Sequence, residues 1–337
     1  MNKIIARGAA LATALGTLTT VALAFFGSTA VNAQTYPTRP ITTFVPATAG
    51  GPTDTIGRII TARMQQTLGQ NVVIENVGGA SGTIATGRAV RADADGYTLI
   101  IGGLNHFVVN GAVYTLNYSL LDDFVPISML ANGPQIISSK KDLPAKDLKE
   151  LIVWLKQNAD KVTFATGGIA SPPHISGLSL EKVVGAKFTY VPFRGAGPAM
   201  QNLVSGHVDI LIDQASSSLA QVRNGAIHAY AVTAKQRLAS APDLPTVDEA
   251  GLPGFYVSVW QGLWAPKGTP PAVVEKLAAA VREALADAEV QKRLKEIGQE
   301  LPTPEQQTPA GFRAFQKAEQ DKWWPIIKAA DIKVDAN

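Results

Sequence analysis

A chain of 337 residues with 46% hydrophobic and 17% charged residues has enough apolar material for two packed lobes, and this balance excludes a disordered chain. Its formal net charge is only +3 and no Lys/Arg run stands out, which argues against nucleic acid, because a basic stripe is needed to track phosphates. With no cysteine it has neither a disulfide nor a lipid-anchored thiol, so its stability must come from its core.

The N-terminus reads as a separate device. Lys3 and Arg7 form a basic start, Ala9 to Phe26 is apolar with small residues, and Val31-Asn32-Ala33 supplies a small-x-small cleavage pattern. Residues 1–33 are therefore expected to be a signal peptide cut after Ala33. An uncleaved anchor is the weaker reading, since Gly16, Thr17, Thr19 and Thr20 interrupt the apolar run. No later stretch is long and apolar enough to span a bilayer.

Ile41 to Val45 is short and β-rich and reads as a buried strand, stopped by Pro46. Ala49-Gly50-Gly51 follows with few side chains in the way. Ile56, Ile59, Ile60 and Met64 then repeat at the spacing of one helix face, with Thr53 or Asp54 as N-cap and Gly69 as stop. A strand, a glycine turn and a helix start aim free N–H groups and a positive dipole end at one point, which suits an anion. The plainer alternative is an ordinary strand-to-helix turn.

The same grammar recurs. Val72 to Asn76 reads as a strand, Gly78 to Gly82 as a turn into a helix through Ile84 and Val90, and Tyr97 to Ile101 as a third strand ending in Gly102-Gly103. This βαβ spacing predicts a parallel sheet with ligands beyond the carboxyl ends of its strands. Leu148 to Gln157 reads as a helix. Val162 to Ala165 reads as a strand ending in Thr166-Gly167-Gly168-Ile169-Ala170-Ser171-Pro172-Pro173-His174, and a helix from about Ile175 to Val184 follows. Phe188 to Val191 is a strand, Pro192 to Gly195 opens a helix reaching Val204, and Val208 to Ile212 is a strand with Asp213 at its end. With Ile227 to Thr233, these make a second sheet facing the first across a cleft. Helices over Pro270 to Leu285, Glu289 to Ile297 and Phe312 to Ala329 close the chain, with Trp323 and Trp324 as packing.

Catalytic constellations are hard to assemble. There is no G-x-S-x-G elbow and no Walker motif, and Gly195-Ala196-Gly197-Pro198-Ala199-Met200 fails a dinucleotide fingerprint at its last position. His106, His174, His207 and His228 have no i,i+4 partners, so neither a metal nor a cofactor is expected. Ser171 and His174 stand at i,i+3, but Pro172-Pro173 between them argues for a turn and not an aligned dyad. What remains is a set of Gly, Ser, Thr and Asn donors at strand ends, the inventory of a binder and not of an enzyme.

Seven segments, in order, resemble one family, the tripartite tricarboxylate transporter substrate-binding proteins or Bug (Bordetella uptake gene) receptors. They are Val45-Pro46 through Asp54, Val73 to Asn76 with Gly78 to Gly82, Asp95 to Leu99, Leu121 to Phe124, Val191 to Gly195 with Pro198-Ala199, Leu244 to Gly251, and Ala265 to Pro270. The resemblance runs from Tyr36 to the end and implies an α/β chain with a type II periplasmic binding protein fold. Two α/β lobes would be hinged around a ligand cleft, lobe 1 from residues 34–132 and 252–337 and lobe 2 from 133–251. It implies a monomeric periplasmic receptor that captures a small organic carboxylate. The membrane partner would be the permease subunits of a tripartite tricarboxylate transporter, or else a sensor protein with the same fold used for signalling. An exported small-molecule hydrolase is the remaining alternative. By position, the first lobe would offer Ala49, Gly50, Thr53, Asp54, Asn105 and His106 to the ligand, and the second Thr166, Gly167, Ala170, Ser171, His174, Arg194 and Asp213. Two departures bear on the ligand: Ala47 stands where many relatives carry Phe, widening one wall, and Arg194 replaces the commoner Lys, offering a fork to a carboxylate.

The leader reading has a direct check: N-terminal sequencing of the protein from fractionated cells should return a chain beginning at Gln34. A mature protein that retains Lys3 would contradict it.

Overall fold

The computed structural model describes residues 36–47 and 49–332, so the expected signal peptide lies outside the described residues. All the elements below belong to one unit that begins at Arg39. β1 (Ile41–Val45) buries alternate residues completely, and α1 (Pro52–Leu68) packs Ile56, Ile59, Ile60 and Met64 against the sheet. That crossover lets β2 (Val72–Asn76) pair in parallel with β1, Ile41 opposite Val72. α2 (Thr83–Ala89) then leads to β3 (Thr98–Gly103), parallel to β1 on its other side. A wide π-turn over Asn105–Val109 follows and runs into α3 (Asn110–Val113).

β4 (Phe124–Lys140) is a single strand of 17 residues. After it come α4 (Leu148–Gln157), β5 (Thr163–Thr166), α5 (Pro172–Val184), β6 (Thr189–Pro192), α6 (Ala196–Val204), β7 (Ile210–Gln214), α7 (Ala215–Arg223) and β8 (Ile227–Val232). β9 (Ser258–Pro266), α8 (Pro271–Ala286), α9 (Ala288–Glu296) and α10 (Pro309–Ala329) complete the chain. The strand order is β2-β1-β3-β9-β4-β7-β5-β6, with β8 also on β4. β4 changes partners along its length: Phe124 to Pro134 pairs with β9, while Gln135 to Lys140 lies between β7 and β8.

Several elements differ from the sequence reading. Parallel pairing holds within β1, β2 and β3 and within β5, β6 and β7, but β4, β8 and β9 pair antiparallel. α1 is capped by Gly51 with Pro52 as its first residue, not by Thr53 or Asp54; a proline at that position gives up an N–H that would have no partner inside the helix. α5 likewise begins on Pro172-Pro173 and not at Ile175. Asp213, expected at the end of its strand, is the penultimate residue of β7 and lies opposite Ile136.

α10 secures the π-turn. A π-turn leaves carbonyls without the usual amide, and Gln316, 1% exposed, donates through Nε2 to Phe107 O and Leu120 O, both at 3.1 Å. Its Oε1 accepts the Trp264 indole N–H at 3.1 Å, and the Trp324 indole donates to Val108 O at 2.9 Å. Phe107 stacks on Trp264 with ring centroids 3.6 Å apart, at the centre of a core that includes Phe124, Trp260, Phe312 and Trp323. Gln316→Leu should therefore strand two carbonyls and one indole N–H. We expect a loss of about 3 kcal/mol in urea unfolding at unchanged m-value, against no loss if these groups rehydrate without cost.

Candidate functional site

The first loop is built around a buried carboxylate. Asp54, 2% exposed in the first turn of α1, accepts the Gly50 N–H at 2.8 Å, Arg58 Nε at 2.9 Å and Asn76 Nδ2 at 3.0 Å. Burial alone would raise its pKa, but the Arg58, Gly50 and Asn76 hydrogen bonds together hold it below the usual carboxylate range. Asn76 also donates to Ala47 O at 3.2 Å, tying the loop to β2. Asp54 thus shapes the loop with both oxygens already engaged, and the Gly50 N–H is committed to it. Gly50 holds φ +80, where a branched side chain is strained although nothing lies within 4 Å of its Cβ position. Ala49 and Gly50 are exposed. The donors that α1 leaves free are the N–H groups of Thr53 and Asp54, which have no acceptor within the helix.

The π-turn then connects this loop to the second. His106 packs beside Pro46 and Gly82 and hydrogen-bonds the Pro46 carbonyl. Its Nδ1 is buried with no partner among the described residues, so the Pro46 bond is made by Nε2–H and the ring is a neutral acceptor. Burial pushes its pKa down to about 4. Asn105, on the neighbouring position, donates through Nδ2 to Ala170 O at 3.1 Å, a bond between segments attached to β3 and β5. Asn105 Oδ1 is buried without a partner among the described residues.

The second loop leaves β5 at Thr166, which is 1% exposed and accepts the Gly168 N–H on Oγ1 at 3.3 Å. A Cβ on Gly167 would press on Gly195 and the Ala196 N–H at 3.3 Å, so this glycine serves the close approach of α6. Ala170 stands in the left-handed region at φ 59, and its N–H donates to His174 Nδ1 at 3.0 Å. Ser171 is the N-cap of α5, yet its Oγ is buried with no partner among the described residues. Pro172 and Pro173 carry no N–H, so the His174 main-chain N–H is the first-turn donor left, beside Ser171 Oγ. Among the described residues Ser171 Oγ makes no hydrogen bond to the His174 ring, whose Nδ1 accepts the Ala170 N–H.

Of the two remaining positions, Arg194 follows Phe193, whose N–H donates to Thr166 O at 2.9 Å beside the second loop, and Asp213 lies on β7. Arg194 is exposed and makes no ion pair among the described residues. Asp213, 2% exposed, accepts Ser217 Oγ at 2.5 Å; burial raises its pKa against the opposing effect of the Ser217 and Gln214 donors.

The sequence reading missed a group of amides where β4 changes partners. Gln135 is fully buried, accepts Ser176 Oγ, and has an unpartnered Nε2. Gln214 pairs with it across β4 and β7, and Gln214 Oε1 is also unpartnered. Gln299, 3% exposed, has neither Oε1 nor Nε2 satisfied among the described residues. A Cβ on Gly133 would meet Gln299 Oε1 at 2.9 Å and Gln214 Oε1 at 3.2 Å, so these amides crowd the point where the chain passes between the sheets. Buried amides left unsatisfied are costly, which marks a place for a ligand or ordered water. Glutamines scattered over β4, β7 and the segment after α9 carry no local sequence signal.

Residues 56–332 match the model of the tripartite tricarboxylate transporter family receptor. The chain belongs to this family. A UPF0065 protein of Agrobacterium vitis is 38% identical over 88% of this chain and 86% of its own. BugT of Bordetella pertussis is 32% identical over 90% of this chain and 93% of its own. Among solved structures, MatC of Rhodopseudomonas palustris with bound malate is 41% identical at a TM-score of 0.75, covering 87% of this chain and 100% of that one. A second R. palustris protein, solved with adipate, is 34% identical at a TM-score of 0.78, covering 89% and 100%. The periplasmic binding protein BugD is 38% identical at 0.75, over 89% and 100%.

The fold is thus the α/β architecture of the periplasmic binding proteins of this receptor family. Neutral donors dominate the arrangement: two helix first turns, hydroxyls and amides, with the nearby charges of Asp54 and Arg58 satisfied by each other. Among the described residues no group of three or more His, Cys, Asp or Glu could hold a metal ion. Such a site can desolvate and hold an anion.

Asp54→Ala should cost about 2 kcal/mol at neutral pH by freeing the Gly50 loop. Because the folded-state pKa is depressed, this contribution is present above the ordinary carboxylate range and is lost as the pH falls through the folded value. The wild-type and variant stabilities should therefore converge in acid denaturation series; a gap that persists there would assign the effect to packing alone.

Proposed function

We propose that the protein is a periplasmic receptor that captures a small organic carboxylate between the loops Ala49 to Asp54 and Thr166 to His174 and hands it to a tripartite tricarboxylate-type membrane transporter. The observation that carries this reading is the pair of helix starts: the Thr53 and Asp54 N–H groups on one side, the His174 N–H and Ser171 Oγ on the other, with Asn105 and His106 between the loops. A carboxylate taken out of water loses several kcal/mol of hydration and must meet several donors at once. Main-chain donors at helix starts are fixed in advance and favour negative charge. The malate and adipate complexes of two relatives support the ligand class.

The lobes of this receptor are taken to divide where β4 exchanges β9 for β7 and β8, with residues 34–132 and 252–337 on one side and 133–251 on the other. The shift of pairing at Pro134 and Gln135 supports that boundary. Binding and lobe closure then form one equilibrium, and the closed form is what the membrane partner recognises. Arg194, exposed and without an ion pair among the described residues, would pair with a ligand carboxylate at the cleft mouth. Burial raises the pKa of Asp213, and its carboxylate oxygen is engaged by Ser217 Oγ.

Calorimetry with a panel of aliphatic diacids, aromatic acids and acidic amino acids tests the reading. At least one aliphatic diacid should bind at micromolar Kd, about 8 kcal/mol, and raise Tm at millimolar concentration. Binding of a neutral sugar or a polyamine with no response to any carboxylate would overturn it.

A further inference from the structure

His174 is expected among the ligand contacts, and its ring has a further set of neighbours. It lines a cavity of about 420 Å³ with Glu181, Lys187, Tyr190 and the segment Ala330 to Ile332, and meets the Tyr190 ring edge-on with centroids 4.7 Å apart. Its Nδ1 instead accepts the Ala170 N–H, and Ala170 O in turn accepts Asn105 Nδ2. Ala170 is a non-glycine residue held at φ 59, a conformation that costs free energy unless its surroundings fix it. One imidazole nitrogen thereby aims the carbonyl that bridges to the π-turn after β3.

The geometry points to a latch across the cleft, Asn105 to Ala170 to His174, in which the neutral His174 ring is a positioning residue for the loop that bounds the ligand site. This deepens the receptor reading above and rests on it for its effect on binding. The Asn105–Ala170 bond joins segments carried by β3 and β5, so it is made only while those segments lie together. A ligand held between the loops selects the same arrangement. Without the latch, the binding-competent fraction falls and the apparent Kd rises by the same factor, about fivefold for one net hydrogen bond.

The latch requires an unprotonated Nδ1. The groups facing His174 are Glu181 on its own helix, Lys187 from the turn before β6, Tyr190 on β6 and Asp331 after α10. Lys187 is paired with Glu181 at 3.2 Å, and burial raises the Tyr190 pKa, keeping its phenol neutral. Burial lowers the His174 pKa against the opposing pull of Glu181. A histidine with a depressed folded pKa contributes its bond above the ordinary imidazole range and loses it as the pH falls through the folded value. The latch is therefore closed at neutral pH and releases in acid.

The test uses three variants of the exported protein and a panel diacid such as adipate. His174→Leu removes the acceptor; His174→Asn keeps one near the Nδ1 position but does not titrate; Asn105→Ala removes the donor. His174→Leu should weaken binding about fivefold, yet add nothing in the Asn105→Ala background. The ratio of wild-type to His174→Asn affinity should fall as the pH is taken from about 8 to about 4.5, a comparison in which ligand protonation cancels. An equal loss from His174→Leu in both backgrounds, or a ratio flat with pH, would overturn the latch. If no carboxylate binds at all, the receptor reading fails, but the latch is still read in the free protein. Exchange of the Ala170 amide should be slow in wild type and His174→Asn and faster in His174→Leu, and equal rates in folded samples of all three would refute it.

Discussion

The structure depends on β4 belonging to two sheets at once. Its first half is hydrogen-bonded to β9 and its second half to β7 and β8, so one continuous backbone sets where β1, β2 and β3 stand relative to β5, β6 and β7. A hydrogen-bonded strand resists stretching but can bend and twist where its pairing changes. Here that point falls at Gly133 to Gln135, and the segment after α9 joins it through reciprocal Asn132–Glu300 backbone bonds of 2.9 and 2.7 Å. The two glycine loops leave β1 and β5, on opposite sides of this shared strand in the sheet order, so under the proposed function a ligand between them would couple to the change of pairing in β4.

Charge handling inside the proposed site follows from the cost of burial. Asp54 could have presented a negative charge to an incoming anion, yet its oxygens are consumed by Gly50, Arg58 and Asn76, and that carboxylate becomes a brace. His106 and His174 are both held neutral by burial, each using one nitrogen on a backbone group of a binding loop. What the proposed site would turn toward a ligand at these two loops is a set of dipoles. Preorganised dipoles stabilise a carboxylate without a buried ion pair, whose desolvation can exceed its Coulombic gain.

How much of this could be read from the sequence depends on whether the signal was local. The strand Ile41–Val45, the helix face Ile56, Ile59, Ile60 and Met64, the stop at Gly69 and the helix Leu148–Gln157 stand as expected, because periodicity and breakers decide them within a few residues. β4 was hidden because Pro126, Asn132, Gly133 and Pro134 punctuate it like a loop, and only β9 from the far end of the chain makes it a strand. α7 was missed because Ala215 to Arg223 is rich in serine and weakly amphipathic. The two glycine loops were legible from their Gly and Pro residues, whereas the N-cap of α1 and the direction of each side chain were not. Asp54 turning back on Gly50 and the His174 ring turning onto Ala170 span only four residues each, in loops where no periodicity fixes a side chain's direction, whereas Gln214 and Gln299 converge near Gly133 through contacts distant in sequence.

The central claim is that a carboxylate is held by the first turns of α1 and α5. A crystal structure of the protein with a bound aliphatic diacid tests it most directly. The account predicts carboxylate oxygens within hydrogen-bonding distance of the Thr53 or Asp54 N–H on one side and of Ser171 Oγ or the His174 N–H on the other. A diacid bound elsewhere, with both helix starts facing solvent, would contradict it.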